Sequence, residues 1–173
     1  MNMTVTRQDD KPWKTDLARK AAERRDQVAK ELEETITKAP SFEEALRQAV
    51  ELMRRRFARY SAVTAYVADG EELAVHIALE RPQGPERVSA ASGPLADAAK
   101  GAQPTVVADL VASTTWAAVG LATGSVMVAP VRTEAGLWAI LEVWSDFREA
   151  FSAQDAKVLG RVAQALAKKT PAA

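Results

Sequence analysis

Residues 124–167 read GSVMVAPVRTEAGLWAILEVWSDFREAFSAQDAKVLGRVAQALA. Two apolar runs, SVMVAPV and LWAILEVWS, are joined by Thr133-Glu134-Ala135-Gly136, a polar stretch ending in glycine, and this predicts a β-hairpin. Ser152, with Asp155 three residues on, then sets a capping box for a helix whose apolar positions are Ala156, Leu159, Val162, Ala163 and Leu166. A hairpin leading straight into an amphipathic helix places the chain in the α+β class with an antiparallel sheet.

Upstream, residues 103–110 (QPTVVADL) predict a short strand running into a loop that continues through Trp116 to Gly124 without a strong period. Leu95 to Lys100 predict a short helix ended by Gly101, and the stretch RPQGPERVSAASGP before it is loop with a short strand around Val88. Between Ser61 and Glu80 the period is two again: SAVTAYVA, the turn DGEE, then LAVHIALE form a first hairpin. Ser41 and Glu44 predict a capping box for a helix that buries Leu46, Ala49, Val50, Met53 and Phe57.

Residues 15–39 are charged and rich in helix formers, with a narrow stripe of Leu17, Ala21, Val28, Leu32 and Ile36. So thin a stripe leaves two possibilities, a helix laid on the domain or one paired with a second copy as a short coiled coil. The expected organisation is a disordered tail at 1–14, the charged helix at 15–39, one α+β domain at 40–169 and a tail at 170–173.

Composition removes several classes of function. In 173 residues, 23 Lys and Arg balance 23 Asp and Glu, so no bulk basic field draws the chain to nucleic acid or an anionic membrane. There is no cysteine, which excludes disulfides, thiolate metal sites, thiol nucleophiles and thioether-linked prosthetic groups. Residues 1–14 carry no apolar run of the kind a secretory leader or membrane span needs, so the expected location is the cytoplasm. No nucleophile elbow or Gly-rich phosphate loop is present.

Strand periodicity selects the candidate binding residues. Trp138, Ile140, Glu142 and Trp144 alternate onto one face of a central strand, where a carboxylate between tryptophans would orient a cationic or hydrogen-bonding ligand; the other reading leaves Glu142 in water at an edge. His76, the single histidine, shares a face with Ala74 and Ala78, opposite Leu73, Val75, Ile77 and Leu79. With no second histidine beside it, an edge position satisfied by backbone is favoured over a ligand role. Asp109 and Trp116 flank the irregular segment, Asp109 having the turn-capping use as its commoner alternative. Arg54, Arg55, Arg56 and Arg59 are read as a solvated face rather than a phosphate patch. The ligand-binding set is completed by Tyr66 and Ser125; no catalytic residue, metal ligand or cofactor is expected.

In the order helix, hairpin, irregular segment, hairpin, helix, the chain resembles the GAF domain family. Pro130, Gly136, Phe151-Ser152, Asp155 and Leu159 with Ala163 match the family's pattern in the C-terminal half; Gly93, Gly101, Pro104 and Asp109 resemble its upstream segment. The resemblance implies a PAS/profilin-like central antiparallel sheet, with the terminal helices packed on one face and a pocket covered by the irregular segment on the other. It further implies a sensory or regulatory module that binds a small molecule non-covalently and signals through its terminal helices, as a homodimer and toward a downstream signalling protein. A ligand-free interaction or dimerisation module is the alternative. The Asn-Lys-x-x-x-Phe string of the cyclic-nucleotide subgroup is absent, and a reductase acting on a free oxidised amino acid would need cysteines. No enzymatic activity is therefore expected.

Overall fold

The computed structural model describes residues 12–80, 85–113 and 124–171. The chain runs α1 (Pro12–Lys38), α2 (Phe42–Arg56), β1 (Ala62–Asp69), β2 (Glu72–Leu79), β3 (Arg87–Ser89), α3 (Ala96–Lys100), β4 (Thr105–Val107), β5 (Ser125–Thr133), β6 (Gly136–Ser145) and α4 (Ala153–Ala167). The strands form one six-stranded sheet in the order β3-β2-β1-β6-β5-β4, with every neighbouring pair antiparallel. Each hairpin thus places one strand at the centre, where β1 and β6, far apart in sequence, pair with each other.

Two separate apolar cores follow from the alternation along these strands. Val63, Ala65, Met127, Ala129, Leu141 and Val143 face α2 and α4, where Leu46, Val50, Met53, Leu159 and Leu166 meet them. On the opposite face Ala62, Tyr66, Val126, Val128, Ile140 and Trp144 pack with Leu95, Ala98 and Ala99 around α3 and with Leu110. Serine caps set where two of the helices begin. At α4 the box is complete, Ser152 Oγ accepting from the Asp155 backbone while Asp155 accepts from the Ser152 backbone at 2.8 Å. At α2 only the forward half forms: Ser41 Oγ accepts from Glu44 N at 3.1 Å, and the Glu44 carboxylate turns instead to Arg47 and Gln48.

The N-terminal helix starts at Pro12, three residues ahead of the expected Thr15, with proline in the first helical position where a missing N–H costs no hydrogen bond. Residues 1–11 of the expected tail lie outside the described residues. Val28, Ala29, Leu32 and Ile36 are buried, so the C-terminal half of α1 lies on the domain, chiefly against α2 and α4, while Trp13 and Leu17 near its start are exposed. Charged clips supplement the thin stripe: Arg25 Nε donates to Asp155 at 2.9 Å, Arg56 reaches Glu31 at 2.5 Å, and Arg161 bonds both Glu33 at 2.8 Å and Asp26 at 2.7 Å.

These clips make a pH prediction. Burial alone would raise the Asp155 carboxyl, but its hydrogen bonds from Ser152 and Arg25 outweigh that and hold it below its ordinary 3.8. Arg161 likewise holds Glu33 below its ordinary 4.5. A carboxyl depressed in the folded state stabilises the fold fully above its unfolded pKa, and that contribution disappears as the pH falls through the folded one. Unfolding free energy is therefore expected to be flat toward neutral pH and to fall progressively below 4.5 and then 3.8. Asp155→Asn should flatten the lower part of that acid limb in urea titrations. An unchanged acid limb would mean the clip contributes nothing.

Candidate functional site

On the face away from α2 and α4, the two central strands, β1 and β6, bring a polar cluster into the apolar core. Thr64 on β1 stands directly across from Glu142 on β6, and Ala62 across from Trp144. Two residues further along β1, on the same face, is Tyr66. The Glu142 side chain is buried, with the residue 3 % exposed. Its Oε1 accepts from Trp144 Nε1 at 2.6 Å and from the Tyr66 hydroxyl at 3.2 Å. A carboxylate is so expensive to bury that its position has to be compensated by donors, and an indole N–H and a phenol supply two here.

Thr64 is 0 % exposed, and its Oγ1 has no hydrogen-bond partner among the described residues. Sequence reasoning passed over this residue, although the period of two in SAVTAYVA puts it on the Tyr66 face. An unpaired buried hydroxyl costs about 1–3 kcal/mol, so Thr64→Val, which keeps the shape, is expected to raise stability by about 1 kcal/mol. Chemical denaturation measures this; a loss of stability would show that the hydroxyl has a partner in solution.

The remaining expected site residues are distributed differently. Trp138 does not share a face with Glu142. The register slips between Val131 and Arg132, so that Val131 pairs with Ala139 and Arg132 with Leu137, leaving Trp138 as the extra residue of a bulge. Leu137 consequently packs on the α3 side, whereas Trp138 faces the helices, edge-on to Phe42 at 5.9 Å, with Nε1 donating to Thr133 Oγ1 at 3.1 Å. His76 has the same fate in β2. The slip between Ala65 and Tyr66 makes it the bulged residue, so Leu73 and Val75 face α3 while Ile77 and Leu79 face α2 and α4, contrary to the single face expected for all four. The His76 ring is exposed, its Nε2 lying 3.2 Å from the Glu43 carbonyl oxygen, the backbone-satisfied edge position that the sequence favoured.

Ser125 is buried on the helix face, where its Oγ donates to the Phe147 carbonyl at 2.8 Å and accepts from Ala150 N at 3.3 Å. It ties the start of β5 to the loop after β6 and does not reach the Glu142 cluster. Asp109 Oδ1 accepts from Val111 N at 3.0 Å, the turn-capping use, and its other oxygen lies 3.5 Å from Arg148. Trp116 and the rest of residues 114–123 lie outside the described residues. The structure thus gathers Tyr66, Glu142 and Trp144 from the expected set, adds Thr64, and places His76, Ser125 and Trp138 elsewhere. Arg54 and Arg56 are paired with Glu80 and Glu31, in keeping with a solvated charged face at those two positions.

A sheet of this topology, with the long helices on one face and a polar cluster set into the other, defines an α+β domain built on one antiparallel sheet. A family model for the GAF domain matches residues 39–168, and the chain belongs to the GAF domain family. Solved structures agree on the fold. A GAF sensor protein from Burkholderia vietnamiensis is 22% identical with a TM-score of 0.77, the match covering 86% of this chain and 94% of that one. Free methionine-R-sulfoxide reductase from Neisseria meningitidis, in complex with its substrate, is 23% identical with a TM-score of 0.75, covering 86% and 89%. The reduced form of the corresponding Staphylococcus aureus reductase is 16% identical with a TM-score of 0.75, covering 85% and 95%. No curated protein matches the chain.

These neighbours correct one expectation. The absence of enzymatic activity does not follow from the fold, because reductases are built on it. The missing cysteines exclude a thiol of this chain from any chemistry, and nothing wider. Among the described residues no helix is long and apolar enough to cross a membrane.

Proposed function

We propose that this GAF domain is a sensory or regulatory module that binds a small molecule non-covalently on the α3 side of the sheet, at Thr64, Tyr66, Glu142 and Trp144. The observation that carries the reading is the buried Glu142 carboxyl group across from a threonine hydroxyl that has no partner among the described residues. Buried polar groups are ordinarily satisfied, and one that is not marks a place where another molecule completes the bonding. A ligand with an ammonium or amide donor fits the carboxylate, and a flat or apolar portion fits the Trp144 and Tyr66 rings. Binding is transmitted through α1 and α4 to a second copy of the chain and to a downstream signalling protein, in the cytoplasm.

The test is a titration of amines, amino acids, nucleobases and methionine-R-sulfoxide, the last because reductases of that compound share the fold. Intrinsic tryptophan fluorescence and melting temperature should both shift with the bound compound, since a ligand that binds only the folded state stabilises it. Methionine-R-sulfoxide is also assayed for turnover with an external reductant, as the chain has no thiol to supply electrons. If no member of the panel shifts either signal, the interaction-module reading replaces this one.

A further inference from the structure

A cleft lies on the side of the molecule away from the Glu142 cluster, where α1 meets the turn between α2 and β1. It encloses about 260 Å³ and is lined by four arginines, Arg24, Arg25, Arg56 and Arg59, against one carboxylate, Asp155. The chain as a whole carries no net charge, so this concentration is local. Two of the arginines are engaged, Arg25 by Asp155 at 2.9 Å and Arg56 by Glu31 at 2.5 Å. Arg24 and Arg59, both exposed, have no ion-pair partner among the described residues.

The floor of the cleft is apolar. Phe57 stacks on Tyr60 with ring centroids 4.5 Å apart, Phe151 meets Tyr60 edge-on at 5.7 Å, and Val28 closes the α1 side. Tyr60 is 2 % exposed and lines the cleft, its hydroxyl the polar end of an otherwise apolar floor. Burial, and then the nearby Asp155 carboxylate, push its phenol pKa up, so at neutral pH it is a proton donor. Two guanidinium groups without an ion pair among the described residues and a phenol O–H, set around an apolar floor, form an anion site with room for a hydrophobic body.

We propose that this cleft binds a small organic anion, a carboxylate or phosphate monoester on a compact aromatic or aliphatic body, with Arg24, Arg59 and the Tyr60 hydroxyl on the anionic group and Val28 and Phe57 against the body. Because Arg24 belongs to α1 and Arg59 to the turn after α2, the bound anion staples the N-terminal helix to the domain. The site is independent of the Glu142 cluster, which lies across the sheet.

The test uses the full chain at constant ionic strength, with phenyl phosphate, benzoate, inorganic phosphate and neutral benzyl alcohol as probes, followed by calorimetry and by backbone amide NMR. Phenyl phosphate is expected to bind about tenfold more tightly than inorganic phosphate, from the buried ring, to raise the melting temperature and to shift the amides of residues 24, 59 and 60. The double variant Arg24→Gln/Arg59→Gln, at two exposed positions, should weaken it about tenfold or more, and Tyr60→Phe by a smaller factor. Glu142→Gln should leave it unchanged. Absence of binding by phenyl phosphate and benzoate up to about 10 mM, a weak limit on the affinity scale, would overturn the proposal. So would affinity indifferent to the arginine substitutions, affinity lost in Glu142→Gln, or equal binding of inorganic and phenyl phosphate.

Discussion

Gly124→Ala is expected to destabilise the fold by about 3–5 kcal/mol, enough to lower the melting temperature by roughly 10 °C for a chain of this size. Gly124 has φ +115°, a conformation L side chains rarely adopt, and a Cβ added there would stand 2.2 Å from the Ser145 carbonyl oxygen. That neighbour is backbone, so relief requires β5 and the end of β6 to separate at the point where Ser125 pairs with Ser145 and where Leu110 N donates to the Gly124 carbonyl at 3.0 Å. Gly70→Ala is the control. Its φ is +62° at the first hairpin turn but nothing lies within 4 Å of the added Cβ, so only the left-handed strain of about 1–2 kcal/mol applies. Urea denaturation of the two variants separates crowding from strain. Equal losses would mean that the close approach at Gly124 is not what requires glycine there.

Glu142→Gln is expected to leave stability within about 1 kcal/mol of the parent, or to raise it, while weakening a cationic ligand by about 10- to 100-fold. The amide oxygen of glutamine can take the place of Oε1 and accept from Trp144 Nε1 and the Tyr66 hydroxyl, so those two bonds survive. What disappears is the capacity to carry a negative charge, which is costly in the empty fold and useful only when a donor-bearing ligand faces it. Opposite effects on stability and on binding are what a functional group buried at a cost produces. A purely structural carboxylate gives the reverse pattern, a drop in melting temperature with ligand affinity untouched, and that result would remove Glu142 from the site. Thermal melts and the fluorescence titration, run on the same preparations, distinguish the two.

The parts of this protein that its sequence determined are those governed by contacts a few residues apart. Ser152 and Asp155 fix the start of α4 because an N-cap and its N3 partner lie one helical turn apart, and the same local logic places Ser41 ahead of α2. Asp69-Gly70 and Thr133 to Gly136 set both hairpins through turn chemistry, and with them the antiparallel sheet and the GAF-type order of elements. Tyr66, Glu142 and Trp144 were readable as site candidates because β1 and β6 keep their period through that stretch.

Tertiary structure decided which face each side chain takes beyond a bulge. His76 and Trp138 are ordinary members of alternating runs in the sequence, and only the pairing of β2 with β1 and of β6 with β5 makes each an extra residue and turns the strand over. The physical effect of each bulge is to reverse the alternation, so that Leu73 and Val75 serve the α3-side core and Ile77 and Leu79 the helix-side core, and Trp138 leaves the face of Ile140 and Glu142. The docking of α1 was open for a related reason. Its stripe is too narrow to specify a partner alone, and Arg25, Arg56 and Arg161 find their carboxylates only once α2 and α4 are in place. A solitary polar group such as the Thr64 hydroxyl, which has no partner among the described residues, carries no local signal at all, since a missing partner exists only in three dimensions.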